Sequence, residues 1–219
     1  MRQPGHQVPC AAAPGLTPQQ KSLHAAERDT PRVQQARQAY GRRLTGLDLR
    51  RLKFVDESRV HLAMTRAYGR APAGERVVGS VPQNYGPNVT MLGALGRHGL
   101  QAVMTVDGAT DADVFRTYVK QVLGPTLAPG DIVVMDNLRA HNAVGVQQAL
   151  ARRGARLLYL PPYSPDLSPI EPCWSKVKTG VRTAQARTRE ALDTALAAVM
   201  VTVSLADSWG WFKHCGYPL

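Results

Sequence analysis

"DIVVMDNLRAHN", residues 131–142, sets a carboxylate directly behind four apolar residues, Ile132 to Met135. A short continuous apolar run of this kind reads as a buried strand in an α/β sheet covered on both faces. The strand ends on Asp136, and two explanations follow. Asp is a good turn former and helix N-cap, so Asp136 could simply cap the helical pattern at 143–153. Alternatively the acid is chemical, and then other carboxylates must arrive at the same place.

The flanks of this stretch decide the fold class. Upstream, "RLKFVDES" (51–58) reads as a strand, "VHLAMTRAYGRAP" (60–72) as a second with its turn at Ala73 and Gly74, and "VTMLGALGRHGLQAVMTVDG" (89–108) as two more joined at Arg97, His98 and Gly99. The period then changes. Residues 111–123 repeat apolar groups at three and four, 143–153 is again helical, and "ARLLYLPPY" (155–163) returns to strand. Strands first, then alternating helix and strand, predict a mixed sheet flanked by helices. Residues 1–20, rich in Pro, Gly and Gln without periodicity, are expected to lack order. Residues 21–48 read as a helical arm broken at Pro31, and 49–217 as one α/β domain.

Composition limits the function classes. No window approaches the roughly 18 uninterrupted apolar residues of a membrane span, and the N-terminal stretch lacks the apolar segment of a secretory signal. Cys10, Cys173 and Cys215 are far apart and form no CxxC pair, which argues against a zinc site or a disulfide framework and for a reducing cytoplasm. The net charge of +11 points to a polyanion, nucleic acid before membrane. That charge is uneven: residues 1–53 hold ten Lys or Arg against three acids, a net of +7, leaving +4 for the other 166 residues.

Asp56 follows "LKFV" much as Asp136 follows "IVVM", so two strands each deliver a carboxylate at or near their carboxyl ends, where open α/β sheets build sites. A third candidate is Glu171 in "YLPPYSPDLSPIEPCWSKVK". There Ser168 is expected to cap, and Pro169 to open, a helix that carries Glu171 and Trp174 on one face. Three carboxylates meeting at one point need a compensating cation. Mg²⁺ or Mn²⁺ is the natural remedy, a pair of ions about 4 Å apart clamping the attacking and leaving oxygens of a phosphodiester.

The blocks "VMDNLRAH" and "YLPPYSPDLSPIEPCW" resemble the second and third signatures of the DDE transposases of the bacterial insertion-sequence 630 family, relatives of mariner elements, and "FVDES" resembles the first. The similarity runs through "KSLHAAERDTP", "AMTRAYGRAPAGERVVGSVP" and "FKHCGY", covering about residues 20–217. It implies an RNase H-like fold, two divalent metal ions, and cleavage and joining of double-stranded DNA at element ends and target. Asp56, Asp136 and Glu171 then become the catalytic acids and metal ligands, Asp56 and Asp136 bridging or sharing the metals and Glu171 completing the coordination of the second metal. A homodimer is the assembly to test, in the cytoplasm on the nucleoid. Relatives carry an N-terminal helix-turn-helix region, and the chain is expected to lack it; a catalytically idle DNA-binding remnant is the alternative. The pattern departs from the family near Tyr85 to Val89, where a Trp or basic residue is more usual, and at Ser168, where Asn is usual.

Other residues carry weaker readings. Asn137 and His141 are accessory candidates beside Asp136; Glu57 should face away from Asp56. Arg42, Arg43, Arg50, Arg51, Lys176, Lys178 and Arg182 are candidate DNA phosphate contacts. Asp107, Asp111 and Asp113 read as a turn and helix cap, and Trp174, Trp209, Trp211 and Phe212 as core. A phosphatase-like enzyme with an Asp nucleophile is disfavoured, because Leu138 or Ser58 stands where such enzymes place another Asp.

Overall fold

The structure, a computed structural model, describes residues 23–136 and 145–217. The segment 1–20 expected to lack order, with Cys10, lies outside the described residues. A short 3-10 turn (Ala26–Asp29) precedes helix α1 (Pro31–Leu44). Pro31 separates them as expected: its locked φ and missing N–H suit the first helical position and nothing further in.

Strands β1 (Leu52–Val60), β2 (Val89–Gly96) and β3 (Gly99–Asp107) follow. The segment between β1 and β2 is the main difference from the sequence reading. "VHLAMTRAYGRAP" forms no strand beyond Val60, and residues 61–88 run as irregular chain with Tyr68 and Val78 exposed. β1 itself is bordered by β2 on one side and by a later strand on the other, so the segment after Val60 cannot pair back onto it, and Gly69, Pro72 and Gly74 interrupt the run.

Asp111 caps helix α2 (Ala112–Thr117) by accepting from the backbone N–H groups of Asp113 and Val114, as its spacing predicts. The helix continues as a π-helical turn over Tyr118–Leu123. After it come β4 (Ile132–Met135), α3 (Val146–Ala151) and β5 (Arg156–Tyr159). Helices α4 (Ile170–Ala184), α5 (Arg189–Met200) and α6 (Leu205–His214) close the chain. Among the described residues no single helix is long and apolar enough to cross a membrane.

The five strands form one mixed sheet in the order β3-β2-β1-β4-β5, with β1 to β3 antiparallel, β4 parallel to β1 and β5 parallel to β4. Alternation sorts its side chains. Leu52, Phe54, Ile132 and Val134 pack on the face covered by α4, α5 and α6, where Trp174, Leu192 and Phe212 meet them. Val55, Val133 and Met135 pack on the other, against Phe115, Tyr118 and Leu150. Each such buried side chain contributes about 1.5–3 kcal/mol, so α4 is fixed to the sheet by its apolar stripe of Cys173, Trp174, Val177 and Val181.

Two details place α4. Gly93 of β2 pairs with Asp56 across the ladder, and a Cβ there would stand 2.9 Å from Trp174 Cη2, so only glycine lets the indole settle on the sheet. Pro169 takes the N-cap position, and Ser168 contributes its carbonyl, which accepts from Glu171 N–H, rather than the side-chain cap expected of it. Trp174 and Phe212 are core, whereas Trp209 is 57% exposed and donates from Nε1 to the Arg97 carbonyl. Lying on the outer side of α6 over the β2–β3 turn, its indole covers a surface turn instead of the interior.

Candidate active site

The parallel pairing of β1 with β4 aligns Leu52 with Ile132 and Phe54 with Val134. Two residues further along each chain stand Asp56 and Asp136. Asp56 is therefore inside its nine-residue strand rather than at its end, because β1 extends past β4 to pair with β2, while Asp136 follows the last residue of β4 directly. Both acids share the alternation of Phe54 and Val134, so both leave the sheet toward α4. Glu171, in the first turn of α4, meets them from above. The three carboxylates line a single cleft of about 470 Å³, walled by Leu160, Pro161 and Pro162 after β5. Glu57, next along β1, alternates to the other face and is absent from the cleft lining.

The electrostatics agree with this grouping. Desolvation by the surrounding walls raises the Glu171 pKa even though its side chain retains water access in the cleft; Lys178 opposes the rise and the negative charge of Asp136 adds to it. Glu171 and Asp136 thus sense one another across the cleft. Among the described residues no three His, Cys, Asp or Glu side chains are gathered closely enough to form a ready-made metal cage. The donor set still fits a hard divalent ion: every acid is a carboxylate, two stand level on neighbouring strands, and the third faces them. Asn137 and His141 lie outside the described residues.

The expected DNA contacts divide into two groups. Arg42 and Arg43 are exposed at the end of α1, and Lys178 and Arg182 are half-buried on α4. The others are already engaged. Asp48 holds Arg50 through two hydrogen bonds of 2.8 and 3.2 Å, which keep the Asp48 carboxyl below its usual range. Arg51 donates to the Pro129 carbonyl at 3.0 Å, and Lys176 donates to Asp207 and to the Thr202 carbonyl.

Sequence reasoning missed three features of the cleft. Arg32, from α1, reaches its lining, and so does Tyr163, a non-glycine residue held at φ +53°. Asp166 lies just outside and accepts from both Arg28 and Arg37. No local pattern signals that α1 folds back onto the loop before α4, since the contact joins residues more than a hundred positions apart.

Comparison with known proteins agrees with the fold. Residues 51–193 match the family model described as DDE superfamily endonuclease. The transposable element Tcb2 transposase of Caenorhabditis briggsae is 27% identical over 139 residues, covering 59% of this chain and 51% of the relative. The chain thus spans about half the length of that curated relative. Among solved structures, the catalytic domain of Mos1 mariner transposase superposes with a TM-score of 0.64 at 15% identity, covering 90% of this chain and 92% of that one. The mariner Mos1 paired end complex with Mg superposes at 0.68 and 15% identity, covering 92% and 65%. At these identities the likeness establishes the RNase H-like sheet and its helices.

Proposed function

The chain belongs to the DDE superfamily of endonucleases, and from that premise we propose that it is the catalytic part of a DNA transposase of the insertion-sequence 630 branch, cutting and joining DNA at the ends of a mobile element. The observation that carries this reading is the shared cleft of Asp56, Asp136 and Glu171, two carboxylates level on adjacent parallel strands and a third facing them from α4.

In this reading Asp56 and Asp136 hold the divalent ions from the sheet side and Glu171 from the helix side. Bound there, two Mg²⁺ or Mn²⁺ ions would ease deprotonation of an attacking water or 3′-hydroxyl and neutralise charge on the phosphate. The protein's part is geometric. The rigid β1–β4 pair fixes the spacing of the two aspartates, and Trp174, wedged over Gly93, fixes the height of α4 and with it Glu171. Leu160, Pro161 and Pro162 form a stiff, largely apolar wall that limits water to the open side of the cleft. Placement of this kind, rather than covalent participation by the protein, is what in-line phosphoryl transfer requires. The substrate proposed is double-stranded DNA, first the element end and then the target, with two copies of the chain pairing on it in the nucleoid.

Nicking of a supercoiled plasmid by the purified chain tests the proposal. Conversion to open circles should require Mg²⁺ or Mn²⁺, and Asp136→Asn should abolish it. Nicking that persists in excess chelator, or in that variant, rules the reading out. DNA binding with no nicking under any divalent ion would favour the idle remnant.

A further inference from the structure

We propose that Arg32 is a substrate-contacting residue of the cleft, gripping a DNA phosphate beside the acids, and that α1 is built to hold it there; this rests on the DNA-cleaving reading above. Among the described residues that line the cleft, Arg32 is the only cation, against the carboxylates of Asp56, Asp136 and Glu171. A phosphodiester approaching that lining meets like charge, and a guanidinium on the rim supplies a planar, bidentate donor suited to phosphate oxygens.

The neighbours of Arg32 show that it stands apart. Arg28 and Arg37 flank it in sequence, and both are spent on Asp166, Arg37 through paired bonds of 3.0 and 2.8 Å and a further bond of 2.7 Å to Ser164 Oγ. The Arg32 guanidinium makes no ion pair or hydrogen bond among the described residues and is exposed toward the cleft. An exposed arginine on a loose tail would mean little. This one sits in the first turn of a helix fastened to the cleft wall at two points: the Arg37–Asp166 and Arg37–Ser164 bonds, and a buried Tyr40–Tyr217 hydrogen bond of 2.9 Å whose second member donates to the Leu167 carbonyl. Both points lie on the 164–168 turn that leads into α4. The element carrying Arg32 and the element carrying Glu171 are therefore fastened to the same turn, so the cation and the acid keep their relation.

The test uses the full chain and a fluorescent DNA duplex in Ca²⁺, read by anisotropy over a range of salt. Arg32→Ala should weaken binding about tenfold or more, as expected for losing a charge-assisted hydrogen bond, and should reduce the salt slope by about 1. Arg32→Lys should restore the slope but only part of the affinity. Free-protein melting should match the parent in both variants. Binding by Arg32→Ala within twofold of the parent with an unchanged slope overturns the proposal, and so does an Arg32→Lys that behaves like Arg32→Ala. If Arg32 behaves as expected while the parent fails to nick DNA with Mg²⁺ or Mn²⁺, the cleavage reading falls and the phosphate contact stands. If the parent nicks and Arg32→Ala binds and nicks equally well, only the contact falls.

Discussion

Asp56 on β1 and Asp136 after β4 each stand two residues beyond the same parallel pair, Phe54 and Val134, so their carboxylates leave neighbouring strands at one level and by one face. Hydrogen bonding between the strands, rather than either local sequence, creates that relation. Changing either residue to Asn keeps its shape and removes one charge. We expect Asp56→Asn and Asp136→Asn each to abolish metal-dependent nicking while circular dichroism of the metal-free variants still matches the folded parent. The parent should gain thermal stability with Mn²⁺, by about 2.7 kcal/mol at a hundredfold excess over Kd. A variant that keeps the parental Mn²⁺ shift would remove that residue from the metal site.

Gly93 offers a second test, because it stands opposite Asp56 and beneath Trp174. In Gly93→Ala the new Cβ meets Trp174 Cη2 at 2.9 Å and Leu100 Cδ1 at 3.2 Å. Relief requires α4 to lift, at a cost of about 1–3 kcal/mol for overpacking, and Glu171 lifts with it. Urea denaturation measures the first effect and plasmid nicking the second. A variant as stable and as active as the parent would show that α4 is not positioned by this contact.

The third prediction concerns acid. Asp207 accepts from Lys176 Nζ and closes the capping box of α6 with Ser204, and these contacts lower its pKa from 3.8 to about 2. A depressed carboxylate pKa contributes stability that is present above the unfolded value and is lost as pH falls through the folded one. Thermal melting should therefore lose a contribution between about pH 4 and pH 2, and Asp207→Asn should show a smaller loss there. The pair is partly solvent-exposed, so the effect will be modest and will shrink in salt. Ser204→Ala should cost about 1 kcal/mol at neutral pH.

How far the sequence could be read follows from the range of each interaction. The apolar run before Asp136, the Arg97–Gly99 turn and the Asp111 cap are set by neighbours, and each was legible. The strand expected over 60–72 does not form, because residue pattern shows neither that both sides of β1 are taken by other strands nor how strongly Gly69, Pro72 and Gly74 break the run. Helices α5 and α6 were not anticipated as elements at all, although Leu192 and Phe212 complete the core over β1. Within the cleft, the acids were found through motifs, whereas Arg32 and the Asp166 contacts were not, since they depend on α1 folding against a turn far along the chain. Tyr163 could not be read either: a positive φ is visible in sequence when glycine occupies it, and here a tyrosine does.

The buried tyrosines give the last prediction. Tyr217 donates its one phenolic proton to the Leu167 carbonyl at 2.7 Å, so in the 2.9 Å bond between the phenols Tyr40 must be the donor. Removing the Tyr217 hydroxyl therefore strands two groups, the Tyr40 proton and the Leu167 carbonyl, whereas removing that of Tyr40 leaves the Tyr217–Leu167 bond intact. Tyr217→Phe should cost about 1–3 kcal/mol for each buried group left unpaired, and Tyr40→Phe clearly less. Alkaline pH probes the same pair. Burial pushes Tyr40 up from 10.0 to about 12 against the smaller effect of its bond to Tyr217, and burial pushes Tyr217 up as well. A raised folded pKa contributes stability below the unfolded value that is lost as pH rises toward the folded one, so the parent should weaken above about pH 10 and Tyr40→Phe should weaken less. Because Leu167 sits in the turn that leads to Glu171, Tyr217→Phe should also lower Mn²⁺ affinity, measured by calorimetry, while Tyr40→Phe spares it. Equal costs for the two variants, or the reverse order, would mean that the proton runs the other way and that the turn before α4 is not held by this chain of hydroxyls.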